Sequence, residues 1–319
     1  MKFTAEILSY GACEEIVFEC GNLKNAEPFG MAVAARSISD YIQRCPNTKF
    51  SFRSATQSYP TFMGFFAAAG ISQAGHTSNY KPWNNRYHQL TKFQGSEIVR
   101  QAINRGIHPN DIVEEKAQEV ATILSSKATD LQYVLAYSIR EMMRNVLEHS
   151  NSSDFLICAQ LWPKNDLAEF AIVDSGIGLR SSLCQNKELK VPSDLEALQL
   201  AMTPGISKST KAARESDDPW TNSGLGLYIT SRICQEGGSF SIFSGDYGLQ
   251  KSKSPSRLFA CTFKGTGIRL QIKPSMIGNA QQNIKKYLQD ASQISKGKID
   301  QHLGLSPSSI LQYLKKQPN

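Results

Sequence analysis

Apolar residues recur at helical spacing between positions 131 and 149, where Leu135, Ile139, Met142 and Val146 follow one another at steps of four, three and four. That spacing lines them up on one stripe that must face a core, and it predicts a single long helix over 131–149 with Thr129 or Asp130 as N-cap. A second helix is predicted over Phe29–Tyr41, a third over Tyr59–Ala69 closed by Gly70, and a fourth over 225–235. Residues 96–124 read as helical, with breaks near Gly106 and His108-Pro109.

Between these lie short β-branched and aromatic runs of strand character. They are 15–20, ending at Gly21-Asn22, 47–52, 155–162, 168–173, 239–244, 258–264 and 267–273. The polar-aromatic stretch 75–94, around Trp83 and Tyr87, reads as a loop or short hairpin, and 181–222 as a long polar segment. Strands alternating with helices predict an α/β protein: a small N-terminal α/β domain, a second α/β layer, and a helical C-terminal tail.

Composition narrows the class. The hydrophobic fraction of 40% and charged fraction of 20% belong to an ordinary globular chain. The longest apolar stretch, Phe62–Ile71, is far short of the ~20 residues of a membrane span, and the N-terminus carries no apolar leader core. Seven cysteines without paired spacing point to reduced thiols in a cytoplasmic protein and away from a structural zinc site. The net charge of +7 is spread thinly, so nucleic acid is a less favoured partner. Lysines at 285, 286, 296, 298, 315 and 316 make the tail moderately basic.

Three segments carry candidate chemistry. Glu141 and Asn145 stand four apart beside the apolar stripe, which puts an acid and an amide on one helix face at the margin of a core. An apolar strand then ends in Asp174-Ser-Gly-Ile-Gly178, where a carboxylate can accept from the amino group of a planar base and two glycines let backbone approach a ligand. Gly224-Leu-Gly-Leu227 leads directly into a helix, whose first N–H groups and positive dipole end suit phosphate oxygens.

In this order and spacing the three segments resemble the boxes of the GHKL superfamily, which includes gyrase B, the heat-shock ATPases of that class, histidine kinases and MutL. The matching stretch is 129–273, with Gly265-Thr-Gly267 similar to the family's last box. The resemblance implies a Bergerat-type α/β sandwich that binds ATP and Mg²⁺. Asn145 would ligate the metal and Asp174 would take the adenine amino group. Gly176, Gly178, Gly224, Leu225, Gly226 and Leu227 would contact the nucleotide. Glu141 occupies the position of the water-activating base.

His149 either sits near the phosphates or is a helix C-terminal histidine favoured by the dipole. Residues 181–222 would form an ATP lid, with Lys208, and behind it Lys211 and Arg214, as cations for the γ-phosphate. His76, His88 and His108 lack the setting of a phosphoacceptor. The Glu-x-x-x-Asn-x-x-x-His helix is closer to anti-sigma-factor kinases.

The N-terminal order, with Phe62-Met-Gly-Phe-Phe-Ala-Ala-Ala-Gly-Ile71, resembles a STAS-type domain. The implied organisation is 1–95 for regulation or interaction, 96–128 as a helical connector, 129–273 as the ATP-binding domain and 274–319 as the tail. Magnesium-dependent ATP hydrolysis driving a conformational or partner-binding switch is the leading expectation. Phosphorylation of a partner serine or threonine, and a non-catalytic ATP-gated module, are the alternatives. A protein partner is expected through the N-terminal domain, with room for a homodimer.

Overall fold

The computed structural model describes residues 2–20, 26–53, 59–71, 86–125, 128–208, 224–278 and 280–296. The loop at Trp83, the lid residues Lys211, Arg214 and Asn222, and the tail from 297 lie outside the described residues.

The centre is a five-stranded antiparallel sheet in the order β3-β4-β5-β7-β6, built from β3 (Tyr87–Gln94), β4 (Asp154–Trp162), β5 (Leu167–Asp174), β6 (Ser239–Ser252) and β7 (Arg257–Ile272). Along β4 and β5 most residues are buried and none is exposed, a pattern unlike the in–out alternation of an antiparallel sheet with one wet face. The cause is cover on both sides. Phe155, Ile157, Ala159, Phe170 and Ile172 point into one core, while Leu156, Cys158, Ala171 and Val173 point into another.

The first core is closed by α5 (Gly95–Arg105), α6 (Pro109–Ser125), α7 (Thr129–His149) and α10 (Gly226–Gly237), with the short α8 (Gly178–Leu183) and α9 (Asp194–Ala201) between α7 and α10 in the chain. Helices α5 and α6, expected as a connector, thus share one apolar core with α7 and the sheet. Helix α11 (Ala280–Lys296), the start of the expected tail, packs Ile284, Tyr287 and Ala291 into the same core. Its Arg232–Asp290 ion pair at 3.5 Å and the Arg232 guanidinium over the Tyr287 ring fix it to α10, while Lys285 and Lys286 stay exposed.

The second core belongs to the N-terminal unit: α1 (Lys2–Ser9), β1 (Glu15–Glu19), α2 (Pro28–Arg44), β2 (Lys49–Arg53), α3 (Tyr59–Phe62) and α4 (Phe65–Ala68). β1 and β2 pair in parallel across α2, as a βαβ unit should. Phe18 stacks on Phe50 and Phe52, and Tyr41 of α2 meets Phe50 edge-on. Helix α2 fills the space between this pair and the back of the large sheet.

Four local expectations are corrected. The helix expected over 59–69 is two single turns, because Gly64 adopts the left-handed conformation (φ 80°) between them. Within 75–94, expected as a loop or short hairpin, residues 87–94 form edge strand β3 of the large sheet, held by Leu90 N donating to Met63 O at 2.8 Å. The three strands expected over 239–273 are two long ones, since Gly265 (φ 87°) makes a local irregularity that β7 passes through. The residue that caps α7 is Ala128, with no side-chain hydrogen bond.

Candidate nucleotide-binding cleft

Helix α7 stops where Ser150 Oγ donates back to Val146 O (2.7 Å) and Asn151 turns left-handed (φ 53°). This end is stitched to the turn that follows β5. Ile177 N donates to Ser150 O at 2.8 Å, and Gly176 N donates to Asp174 Oδ1 at 2.7 Å. The turn must be glycine at 176, because a Cβ there would lie 2.0 Å from Ser150 O. Gly176→Ala is therefore expected to cost about 3 kcal/mol or more of folding stability, an overpacking of backbone on backbone. Urea unfolding measures it, and a loss below about 1 kcal/mol would refute this account of the turn.

From the opposite side, Ser244 Oγ takes the N–H of Leu179 (2.9 Å) and donates to Gly265 O (2.8 Å). Gly178 (φ 74°) and Gly265 fit only without side chains, since a Cβ on Gly265 would come 2.2 Å from Asp174 O. The turn is clamped on three sides.

A cleft opens in front of it. Its cavity measures about 80 Å³. Asn145, His149, Asp174, Gly178, Lys208, Gly224, Gly226 and Leu227 all line it, so eight of the expected residues from four separate segments converge. Ser182, Ile206, Ser207, Thr266 and Ile268 line it as well. Thr266 belongs to the Gly265-Thr-Gly267 box and Ser182, Ile206 and Ser207 to the expected lid, but none of the five carries a local signal that marks it individually.

Three expected residues stand outside the lining. Gly176 is used against Ser150. Leu225 is buried beneath the loop as the residue preceding α10. Glu141 is 5% exposed, with Oε1 accepting from Arg140 Nη2 at 2.7 Å. Its Oε2 lies against Gly226, where a Cβ would come within 2.6 Å. The acid therefore touches a cleft residue without reaching the cleft. Arg140, which no sequence motif marks, is itself buried and stands 3.7 Å from Glu114.

Electrostatics follow from burial. Asp174 is 1% exposed, and burial pushes its carboxyl up to about 6, against the pull of the Gly176 N–H, the Arg36 charge and the Thr266 N–H. Burial, and then the neighbouring Lys208 charge, pushes His149 down to about 4, so at neutral pH it is an uncharged imidazole. It can offer a hydrogen bond to a phosphate but not a charge, and the helix dipole does not protonate it. The Lys208 ammonium donates to the carbonyl of Glu148 at the end of α7, with its own pKa lowered by desolvation. Burial raises Glu148 to about 7 although Arg144 Nε donates to it at 2.8 Å.

Gly224 (φ 68°) accepts from Gly205 N at 3.1 Å and packs on Ile206, which joins the loop before α10 to the segment carrying Lys208. Helix α10 starts at Gly226 on the cleft wall with no side-chain cap. Among the described residues no group of three His, Cys, Asp or Glu side chains could hold a metal ion. All seven cysteines are free thiols, and no described helix is long and apolar enough to cross a membrane. No protein-family model matches the chain, and no curated protein matches it either.

Proposed function

We propose that residues 129–273 bind ATP with Mg²⁺ in the manner of a GHKL domain, and that binding switches the conformation or partner contacts of the chain. One observation carries this reading. A buried carboxylate, an amide and an uncapped helix start, expected from the three motif segments, line a single cleft with a cation expected from the lid. Asp174 accepts from the adenine amino group, in a site where an unmatched base leaves a buried acceptor unpaired. The Gly226 and Leu227 amides and Lys208 meet phosphate oxygens. Asn145 supplies one oxygen to Mg²⁺, which takes the rest of its shell from water and phosphate, so a carboxylate cluster is not required.

The free space is small for a nucleotide, whose clefts run about 300–1,000 Å³, so the segment bearing Ile206 and Lys208 swings outward to admit it. Asn145→Ala is expected to weaken ATP binding at least about tenfold with Mg²⁺ present and to abolish the magnesium dependence. Titration calorimetry with and without Mg²⁺ reads both. Absence of ATP binding by the wild type would overturn the proposal.

The burial of Glu141 against Arg140 favours slow, gated hydrolysis, and next to it a non-catalytic ATP gate, over rapid turnover. A STAS-like N-terminal unit then supplies the contact with a protein partner. The free cysteines suit a reducing compartment such as the cytoplasm.

A further inference from the structure

Helix α2 runs the length of β5 on the sheet face turned away from α7. Near the start of β5, Phe29 N donates to Glu169 Oε1 at 3.0 Å. Just past its end, Ser175 Oγ donates to Asp40 Oδ2 at 2.5 Å. Eleven helical residues advance about 16 Å and six strand residues about 20 Å, so helix and strand stay in step between the two anchors.

Both anchors are built. Glu169 is fully buried and also accepts from Arg269 Nη2 (2.7 Å) and Gln271 Nε2 (3.0 Å). One helical turn before Asp40, the buried Arg36 bonds the side chain of Asp154 and lies 3.7 Å from Asp40 Oδ1. Asp154 opens β4, whose next residue, Phe155, is the register partner of Asp174. A cluster of Arg36, Asp40, Asp154 and Ser175 therefore sits directly behind the carboxylate proposed to read the base. None of the four lines the cleft.

Among the described residues, Ser175 is the one side chain of the turn hydrogen-bonded to the N-terminal unit. Gly176 is fixed by Asp174 and Ile177 by Ser150, so the hydroxyl–carboxylate bond is the turn's tie to α2. The far side of α2 reaches the N-terminal strands through Tyr41, whose hydroxyl donates to Gly11 O at 2.7 Å and whose ring meets Phe50.

We infer that Asp40 is a positioning residue for nucleotide recognition: through Ser175 it sets the Asp174 turn, and it couples the N-terminal unit to the base-reading end of the cleft. This rests on the ATP-binding reading above. Coupling of this kind is reciprocal, so whatever moves α2 alters base recognition, and the bound base orders α2.

The experiment uses the full chain and measures binding of ATP–Mg²⁺ and of inorganic triphosphate–Mg²⁺ by calorimetry. The proteins are wild type, Asp40→Ala, Asp40→Asn, Ser175→Ala and the Asp40→Ala/Ser175→Ala pair. Each single alanine variant is expected to lose at least about fivefold in ATP affinity, and the pair no more than either alone. Triphosphate, which does not reach Asp174, binds all of them alike. Asp40→Asn, whose amide oxygen accepts the same hydrogen bond, recovers most of the loss.

ATP affinities within about twofold of wild type would overturn the inference, as would parallel losses of ATP and triphosphate, the mark of a merely structural role. Should Asp40→Ala fail to fold, Ser175→Ala, which deletes one oxygen, gives the same reading. A wild type that binds triphosphate but not ATP, or neither, overturns the ATP reading itself and this inference with it.

Discussion

Asp174→Asn is expected to lower ATP affinity at least about 100-fold while raising the melting temperature of the ligand-free protein at neutral pH. The Gly176 N–H already occupies Oδ1 at 2.7 Å, and the Thr266 N–H also points at this carboxylate. In the proposed site the base amino group makes a third donor. Asparagine offers one acceptor oxygen and a donor NH₂, so one donor meets another. Losing a hydrogen bond to a charged group costs about 1.5–3 kcal/mol, and a stranded buried donor about 1–3 kcal/mol more. Two decades of affinity correspond to about 2.8 kcal/mol.

Stability runs the other way. An ordinary aspartate titrates near 4, whereas burial lifts Asp174 to about 6. Between those values the folded state holds a proton that the unfolded state has released. Wild-type stability is therefore greatest below pH 4 on account of this group and falls as pH rises through 6, by about 2–3 kcal/mol in all. The asparagine variant escapes that loss. The gap between the two melting temperatures should open between pH 4 and pH 7. Burial also raises the carboxyls of Glu148 and Glu169, but they are common to both proteins and cancel in the difference. Retained ATP affinity, or a lower melting temperature for the variant at pH 7.5, would contradict the assignment.

What the sequence makes legible follows the strength of its local signals. Helix α7 is written in a regular apolar stripe, the β4–β5 hairpin in two apolar runs around a Pro-Lys-Asn turn, and the start of α10 in Gly224-Leu-Gly-Leu227. Edge strand β3 reads as part of a loop or short hairpin because Tyr87-His-Gln-Leu-Thr-Lys-Phe-Gln94 mixes rings with polar residues, as suits a strand paired on one side only. Gly265-Thr-Gly267 reads as a break between strands, yet serves as the close approach of β7 to the Asp174 turn. Continuous burial along β5 says that both faces are covered, but not by what. That α2 covers one of them, and that Asp40 meets Ser175 across 135 positions, depends on tertiary packing that no local pattern encodes.

The same limit governs the candidate base. Spacing puts Glu141 one turn before Asn145, and the family resemblance implies an acid facing the phosphates, but spacing cannot show which neighbour the acid prefers. Adjacent Arg140 claims it at 2.7 Å, and the pair is buried against Gly226. To act on a water at the γ-phosphate, Glu141 has to leave Arg140, so wild-type turnover is expected to be slow and limited by that release. Glu141→Gln should lower ATP turnover by about 100- to 10⁴-fold, the usual contribution of a general base, with ATP affinity kept within about threefold. Arg140→Gln frees the acid and should raise turnover per folded molecule. It should also cost about 3 kcal/mol of stability, because a buried carboxylate is left without its cation. Phosphate release under saturating ATP, with urea unfolding in parallel, measures all three proteins. Equal turnover in wild type and Glu141→Gln would remove Glu141 from the chemistry and leave the cleft an ATP-operated gate. Unchanged turnover in a folded Arg140→Gln protein would instead show that the ion pair does not restrain the base.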